Sequence, residues 1–334
     1  MTGVGAGRMR IPPHARSRRR YRLLIQRSED LVSFVQRAGR RCRLALGGAD
    51  DADALVTIQE AWRKGVVEPT LVGPADRIAA AAAELPGGVA PFRVVDRRDD
   101  IECVRETVRL VREGECDMIM KGRLRTADLM AEVLRKENGL RTDRILSHVG
   151  AFTVPGEDRM MLITDAGINI TPDLMRKRDI ILNAVEVAHA IGIPCPRVAV
   201  LSFIEKLENL NVHPAIRAST EDAETLTRMN REGSIPGCIV EGPYALDNAI
   251  SEYAARKKGI RGEVAGRADI LVAHDINMGN AIYKALQVWV RVVMAGVVVG
   301  SRIPIVVPSR TDSPESKLQS IGLAMHLMMG GAHA

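Results

Sequence analysis

The residues best suited to chemistry directly follow an apolar run near the end of the chain, in the segment Ser309-Arg310-Thr311-Asp312-Ser313-Pro314. Arg310 offers a planar guanidinium to a tetrahedral anion. Ser313 can cap a helix that begins at Pro314, which leaves free backbone N–H groups nearby. The segment therefore indicates a phosphate pocket. The same spacing also suits an ordinary capping turn with a surface arginine, and spacing alone does not decide between them.

Four other predicted strand exits carry polar side chains, and ligands of open α/β sheets bind beyond the carboxyl ends of strands. The stretch Lys121 to Thr126 is basic and contains glycine, which suits the phosphates of a nucleotide-like cofactor. The other three exits hold Asp165 with Asn169, Asp247, and Asn280 with Lys284 one helical turn later. Each alone is explained by helix capping or solvation. Five such exits in one chain favour a ligand site.

Other kinds of site lack their sequence signals. The seven histidines never fall at the H-x-x-x-H spacing, and the five cysteines are scattered without a C-x-x-C pair. We therefore predict no structural metal and reduced thiols. There is no G-x-S-x-G nucleophile elbow and no motif that supports a Cys/His pair, although residues brought together only in space stay possible.

The elements that must position these residues follow one pattern. From about Ser28, short aliphatic runs alternate with amphipathic stretches, which is typical of βα units that build a parallel sheet. Residues Ser147 to Thr164 break the pattern, because two β-rich runs flank the turn sequence Pro155-Gly156-Glu157-Asp158. We predict a hairpin and a domain boundary there. Later helices are expected over 172–191, 219–231 and 279–290, and from Ser313 onward.

Length and composition point to a globular protein with two domains. The chain has 334 residues, of which 46% are hydrophobic and 26% charged. The longest apolar run, Val292 to Gly300, is much shorter than the ~20 residues of a membrane-spanning helix. We expect a cytoplasmic protein with no membrane partner.

The net charge of +6 comes from one end of the chain. Residues 1 to 28 hold eight arginines and no acidic residue, so the rest of the chain has two more acidic than basic residues. We therefore predict no nucleic-acid partner for the body of the protein. The arm itself suits a solvated, disordered extension better than a targeting peptide or a contact for acidic partners, and a nucleic-acid role of the arm stays a rival interpretation.

Beyond these patterns, the stretch from about Gly65 to the C-terminus resembles the phosphate acetyl/butyryl transferase family. The segments from Ser309 to Ser313 and at Gly242-Pro243 with Asp247 look closer to the butyryl-type branch of that family. The resemblance rests on segments that occur in order: LVGP, MKGRLRT, SHV, LITDAGINITPDL, NAVEVAHAIGI, VAVLS, EGPYALDNAIS, ADILVAHDINMGNAIYKAL and AGVVVGSRIPIVVPSR.

The resemblance implies an architecture. The fold would be like that of the isocitrate/isopropylmalate dehydrogenase group, with two α/β domains, a parallel or mixed sheet and the active site in the cleft between the domains. The first domain would be completed by the C-terminal segment. We therefore expect a basic arm at 1–27, domain 1 from 28–150 with 292–334, domain 2 at 151–291, and a homodimer or higher homo-oligomer.

The resemblance also implies a reaction, in which acyl-CoA and inorganic phosphate give acyl phosphate and CoA by direct attack in a ternary complex. No tightly bound cofactor is then needed, because coenzyme A is a substrate. Arg310 and the N–H groups near Ser313 would hold phosphate against the thioester, and Ser309 would hydrogen-bond the sulfur or the carbonyl oxygen. The other candidates for binding phosphate or CoA are Lys121, Arg144, Thr126, Asp165, Asn169, Asp247, Asn280 and Lys284.

The general base is less defined. In the acetyl branch an Asp inside the helix after Ser-Arg has this role, whereas this chain has Ser316 in that neighbourhood. We nominate Asp312, with Glu315 in reserve. The alternative activity is that of a nicotinamide- and metal-dependent dehydrogenase on the same fold, for which Asp247, Asp269 and Asp275 are the only candidate ligands. The length of the acyl chain is not specified by the sequence, so acetyl, propionyl and butyryl groups remain possible.

Overall fold

The computed structural model describes residues 25–204 and 213–330. The predicted basic arm at 1–27 therefore lies outside the described residues except for its last three. Within the described part, no helix is long and apolar enough to cross a membrane.

Eleven strands of the described chain form one sheet with the order β3-β2-β1-β4-β11-β10-β5-β6-β9-β7-β8. The strands are β1 (Cys42–Gly47), β2 (Val67–Gly73), β3 (Arg93–Asp96), β4 (Met118–Lys121), β5 (Ser147–Thr153), β6 (Met160–Thr164), β7 (Arg197–Leu201), β8 (Ile239–Tyr244), β9 (Ile270–Val272), β10 (Ala295–Val299) and β11 (Ile305–Val306).

Helices flank this sheet, as the alternating pattern of the sequence predicts. They are α1 (Leu31–Arg37), α2 (Ala52–Arg63), α3 (Ala75–Ala81), α4 (Asp100–Arg112), α5 (Thr126–Val133), α6 (Leu174–Ala190), α7 (Pro214–Arg231), α8 (Leu246–Ile250), α9 (Glu252–Lys257), α10 (Ile276–Ala285) and α11 (Pro314–Gly330). Short 3₁₀ turns lie at Ser28–Asp30 and Lys136–Asn138, and a π-helical turn, Leu286–Val290, continues α10.

The strand direction reverses across the middle of the sheet. Strands β1 to β4 and β11 run parallel to one another, and β6 to β9 form a second parallel group. Between them the pairs β11/β10, β10/β5 and β5/β6 are antiparallel. The carboxyl ends of the first group therefore lie along one side of the sheet, perpendicular to the strands, which we call the first edge. The carboxyl ends of the second group lie along the opposite side, which we call the second edge.

The predicted hairpin is confirmed. Strands β5 and β6 pair antiparallel, with Val149 opposite Thr164 and Thr153 opposite Met160, and every side chain of both strands is buried. The helix expected at 172–191 is observed as α6, which begins where the side chain of Asp173 accepts a hydrogen bond from the Arg176 amide. Local turn and capping signals were sufficient for these elements.

The last helix, α11, is fixed in the interior and so fixes the segment that precedes it. It packs against β10, α1 and α2. Ser316 and Ser320 accept hydrogen bonds from the backbone N–H groups of Met294 and Gly296, at 3.1 and 2.8 Å. A Cβ at Gly322 would lie 2.8 Å from the Val32 amide nitrogen, so only glycine permits this approach of α1. Residues 309–313, which lead directly into α11, are therefore held in place at their carboxyl end.

Candidate active site

The segment after β11 folds into a tight turn at the first edge. The Ser309 amide donates to Asp312 Oδ2 at 2.7 Å, and the Asp312 amide donates back to the Ser309 carbonyl at 3.1 Å. Ser313 Oγ accepts from the Ser316 amide at 3.1 Å, which confirms the predicted cap of α11. Arg310 stands at the tip of this turn with an exposed side chain. The turn thus presents a guanidinium beside the start of a long helix.

Lys284 reaches this turn from α10. Its ammonium donates to Ser309 Oγ at 3.1 Å, Thr311 Oγ1 at 3.2 Å and Gln287 Oε1 at 3.0 Å. Gln287 Nε2 in turn donates to Asp312 Oδ1 at 2.8 Å. These contacts close a ring, the Ser309–Asp312–Gln287–Lys284 ring, which joins two segments of the chain. The three ammonium donors of Lys284 are all engaged in it or at Thr311.

A pocket of about 670 Å³ lies beside the turn, and we call it the basic pocket. Its volume is in the range of small-molecule sites. Among the predicted residues it brings together Lys121, Thr126, Ser309 and Arg310. The side chains of five basic residues line it, Lys121, Arg123, Arg125, Arg310 and Lys317, against two acidic residues, Asp51 and Asp53. Arg123 pairs with Asp50 and Asp100, and Lys317 pairs with Asp53. Within the described residues Lys121 and Arg310 form no ion pair, so their positive charge suits an anionic ligand.

The electrostatics of Lys121 show how close these charges are. Burial lowers the pKa of its ammonium, the nearby Asp51 raises it, and the positive charge of Arg310 lowers it further. Lys121 Nζ donates to the Gly122 carbonyl at 2.8 Å. An anion bound between Lys121 and Arg310 would relieve the repulsion between them.

Lys317 is a residue of the basic pocket that the sequence analysis missed. It is 4% exposed, and its ammonium lies 3.2 Å from Asp53 Oδ2. A signal was present, because Lys317 follows Ser313 by four residues and therefore lies on the same face of the predicted helix.

Three predicted residues support the site from the second edge. The carboxylate of Asp165 accepts from the amides of Gly167, Ile168 and Asn169 and from Asn169 Nδ2. Asn280 Nδ2 donates to the Ala166 carbonyl at 3.2 Å. These bonds fold the loop after β6 and attach α10 to it. Asp165, Asn169 and Asn280 thereby fix the helix that carries Lys284.

Two predicted residues have other partners and do not line the basic pocket. Asp247 is exposed in the first turn of α8, as predicted, and accepts from Lys258 Nζ at 2.9 Å. Arg144 forms an ion pair with Glu186. Their roles in binding stay predictions.

The sequence analysis also missed a buried histidine near the Ser309–Asp312–Gln287–Lys284 ring. His148 lies in β5, its ring meets that of Tyr283 edge-on at 5.5 Å, and its Nδ1 has no hydrogen-bond partner in the described part of the chain. Burial lowers the pKa of His148, while the charges of Asp165 and Asp312 oppose this and that of Lys284 adds to it. Burial also raises the pKa of Tyr283, and Asp312 adds to that effect. Both side chains are therefore neutral at neutral pH.

The three carboxylates that would serve a metal-dependent dehydrogenase lie apart. Asp269 accepts from the guanidinium of Arg197 at 2.9 and 3.0 Å. Asp275 caps α10 by accepting from the Met278 amide at 2.9 Å, and Asp247 pairs with Lys258. In residues 25–204 and 213–330, no group of three or more His, Cys, Asp or Glu side chains is placed to hold a metal ion.

A larger cleft of about 780 Å³ lies elsewhere, next to α4. Six arginines and five acidic residues line it, and several pair with one another, as Arg109 does with Glu106 and Arg135 with Glu137. Since its charges largely compensate each other, this cleft is less suited to an anion than the basic pocket.

Comparisons with known proteins confirm the family resemblance of the sequence. Residues 102–325 match the family model described as phosphate acetyl/butaryl transferase. The chain is 41% identical over 296 residues to the phosphate butyryltransferase of Clostridium beijerinckii, which covers 89% of this chain and 96% of that protein. It is 40% identical over 296 residues to the phosphate acetyltransferase of Thermotoga maritima, with 89% and 98% covered.

Solved structures give the same picture. A branched-chain phosphotransacylase from Enterococcus faecalis V583 superposes with a TM-score of 0.74 and 30% identity, covering 86% of this chain and 98% of that chain. A 4-hydroxythreonine-4-phosphate dehydrogenase from Klebsiella pneumoniae reaches a TM-score of 0.53 at 17% identity, with 86% and 99% covered, which is a likeness of fold alone.

Proposed function

The chain belongs to the phosphate acetyl/butyryl transferase family, and from this we infer that it is an acyltransferase that converts acyl-CoA and phosphate to acyl phosphate and CoA. The observation that carries the proposal is the placement of Ser309 and Arg310 at the basic pocket, with the ammonium of Lys284 hydrogen-bonded to Ser309. The family match favours this activity over that of a dehydrogenase on the same fold.

We further propose the two-domain arrangement implied by the sequence. Residues 28–150 with 292–334 would form one domain and 151–291 the other, with the substrates in a cleft between them. The insertion of β11 beside β4 and the reversal of strand direction after it support this division. A homo-oligomer in the cytoplasm is proposed with it, and light scattering on the purified protein tests the oligomeric state.

The first step places phosphate. The guanidinium of Arg310 binds two phosphate oxygens, and the N–H groups at the start of α11 lie close to the same turn. A third phosphate oxygen attacks the thioester carbon, a C–O bond forms and the C–S bond breaks. CoA leaves as a thiolate, which takes up a proton. No covalent enzyme intermediate is needed, so positioning supplies most of the acceleration.

The ring gives Ser309 a definite role. Because Lys284 can only donate, Ser309 Oγ is the acceptor in that contact. The hydroxyl hydrogen of Ser309 therefore points either to Thr311 or to a ligand. Ser309 then donates to the carbonyl oxygen or the sulfur, where negative charge develops during transfer, and Lys284 adds its positive charge behind it.

The remaining basic side chains of the pocket would bind CoA. Lys317 is a buried cation and Lys121 a half-buried one, and Thr126 lines the same pocket. Ser313, which caps α11 and does not line the pocket, stays a candidate for binding phosphate or CoA. Arg144 stays a candidate for the CoA phosphates. In this scheme CoA is a substrate, and no tightly bound cofactor takes part.

In the reverse direction a base must take the proton of the CoA thiol, whose ordinary pKa is near 8.5. Asp312 is the nominee, since its carboxylate is adjacent to Ser309 and each of its oxygens accepts one hydrogen bond from a neutral donor. Glu315 is exposed one residue into α11 and remains the reserve.

The test is phosphate-dependent release of the CoA thiol from acetyl-, propionyl- and butyryl-CoA, with and without EDTA and without nicotinamide. We expect release that requires phosphate and is unaffected by EDTA, and the three rates rank the acyl preference. A requirement for metal or nicotinamide would contradict the proposal and favour the dehydrogenase.

A further inference from the structure

Gln287 joins the two charged members of the ring. Its Oε1 accepts from Lys284 at 3.0 Å and its Nε2 donates to Asp312 at 2.8 Å. Within the described residues, Lys284 and Asp312 form no ion pair with each other. The amide of Gln287 therefore holds the cation and the carboxylate in place without letting them neutralise one another.

The ring has a fixed direction of hydrogen bonding. Lys284 only donates and the Asp312 carboxylate only accepts, so Gln287 must turn its oxygen to the first and its nitrogen to the second. The Ser309 amide fills the other oxygen of Asp312. This direction leaves the hydroxyl hydrogen of Ser309 as the donor that can be directed outward, toward Thr311 or a ligand.

The local backbone explains how Gln287 reaches both partners. It belongs to the π-helical turn Leu286–Val290, and such turns are frequent at functional sites. Val288 and Trp289, which follow it, are 66% and 83% exposed, whereas Gln287 is half-buried. The turn therefore directs Gln287 inward and the two apolar residues that follow it outward, while Leu286 packs against the core.

We propose that Gln287 is a positioning residue of the acyl-transfer site, which sets the direction of the Ser309–Asp312–Gln287–Lys284 ring. The inference rests on the proposed function. Gln287 acts through Lys284 and Asp312: it keeps the Lys284 ammonium directed at Ser309 and holds the Asp312 carboxylate beside it.

Two variants separate the contacts. Gln287→Met loses both, whereas Gln287→Glu keeps an acceptor for Lys284 and loses the donor to Asp312. In the second variant two carboxylates face each other, so the pair holds a proton at higher pH than a lone carboxyl group. The charged and titratable groups around this pair are Lys284 and, from the elements beneath, His148 and Tyr283.

We expect Gln287→Met to lower kcat about tenfold or more, with KM for phosphate and acyl-CoA changed less than about twofold. Gln287→Glu should be similarly impaired at pH 8 and regain activity toward pH 6, because its protonated carboxyl group again donates to Asp312. The matched control is Gln59→Met, since Gln59 donates to the Pro86 carbonyl at 2.8 Å outside the site.

Gln287→Met with wild-type kcat would overturn the proposal. The proposal would also be overturned if both Gln287 variants lost the same activity at every pH and this loss followed a lowered melting temperature, because that pattern indicates a purely structural role. If the wild-type protein itself releases no CoA with phosphate, the proposed function fails and the role of Gln287 falls with it. If the wild-type protein releases CoA with phosphate and Gln287→Met does so with the same kcat, only the role of Gln287 is overturned.

Discussion

Replacing Asp312 by Asn tests the ring and the proposed base together. Asn has one acceptor and one donor where Asp312 accepts twice, from Ser309 and from Gln287. If the Asn oxygen takes the Ser309 amide, its nitrogen faces Gln287, and Gln287 must turn over. Its own nitrogen then faces the Lys284 ammonium. Somewhere in the ring a donor therefore meets a donor.

The size of the effect follows from that mismatch. One unsatisfied, partly buried donor costs about 1 to 3 kcal/mol, which corresponds to about 5- to 150-fold in rate if it is lost in the transition state. Loss of a general base contributes a further factor of about 10² to 10⁴ in the direction that consumes CoA. The affinity for CoA should not change, because the basic pocket is intact.

The assay is steady-state kinetics in both directions for Asp312→Asn and for the double variant Asp312→Asn/Gln287→Glu. In the double variant the carboxylate introduced at position 287 can accept both from the amide introduced at position 312 and from Lys284. The ring is thereby restored with its total charge unchanged. We expect the double variant to regain the part of the rate that the mismatch in the ring had cost. It should stay slow in the direction that consumes CoA, because the proposed general base is still missing. Unchanged turnover in Asp312→Asn refutes the whole assignment, and full recovery in the double variant refutes the base while sparing the ring.

Three further results are expected. Arg310→Lys should lower kcat/KM for phosphate by about 10- to 100-fold and leave KM for acyl-CoA unchanged, because Lys cannot bind two phosphate oxygens with one planar group; equal effects on both substrates would contradict this. Gly279→Ala places a Cβ 2.1 Å from a backbone carbonyl of the loop after β6 and should lower the free energy of unfolding in urea by about 1 to 3 kcal/mol, whereas Gly330→Ala, with only ordinary contacts, should change it little. Burial and the adjacent Lys177 lower the pKa of His274, whose Nδ1 lies 2.7 Å from the Lys177 ammonium. The unfolded chain therefore binds this proton more readily, and stability falls as pH drops below about 6.5. His274→Asn, which keeps an acceptor at that position, should lose less stability between pH 7.5 and 5.5 in urea titrations, and an unchanged loss would refute this cause.

Local signals were enough to predict the parts of the fold that depend on neighbours in sequence. The hairpin at Ser147 to Thr164 follows from its turn residues, and the cap at Ser313 follows from a serine directly before a proline. Each is decided by contacts within a few residues, where turn and capping preferences act.

The assembly of the site depends on contacts that no local pattern contains. Lys284 meets Ser309 only because strand direction reverses in the middle of the sheet and α10 spans from the second edge back toward the first. The helix was expected to continue regularly to residue 290, so the π-helical turn and the inward direction of Gln287 were not predicted. His148 looked like any residue of an apolar strand, since nothing in its neighbourhood announces the Tyr283 ring.

The position of β11 has a consequence for biosynthesis. Strand β4 finds its partner β11 about 180 residues later in the chain. While the ribosome makes the intervening segments, one side of β4 offers unpaired backbone groups, which are a template for pairing with other chains. Residues 305–306 cover that side, and the turn at 309–313 forms only once they are in place. Arrival of β11 thus covers the exposed side of β4 and brings the turn at 309–313 into position, so the backbone groups that favour aggregation are paired in the same step that places the candidate site residues.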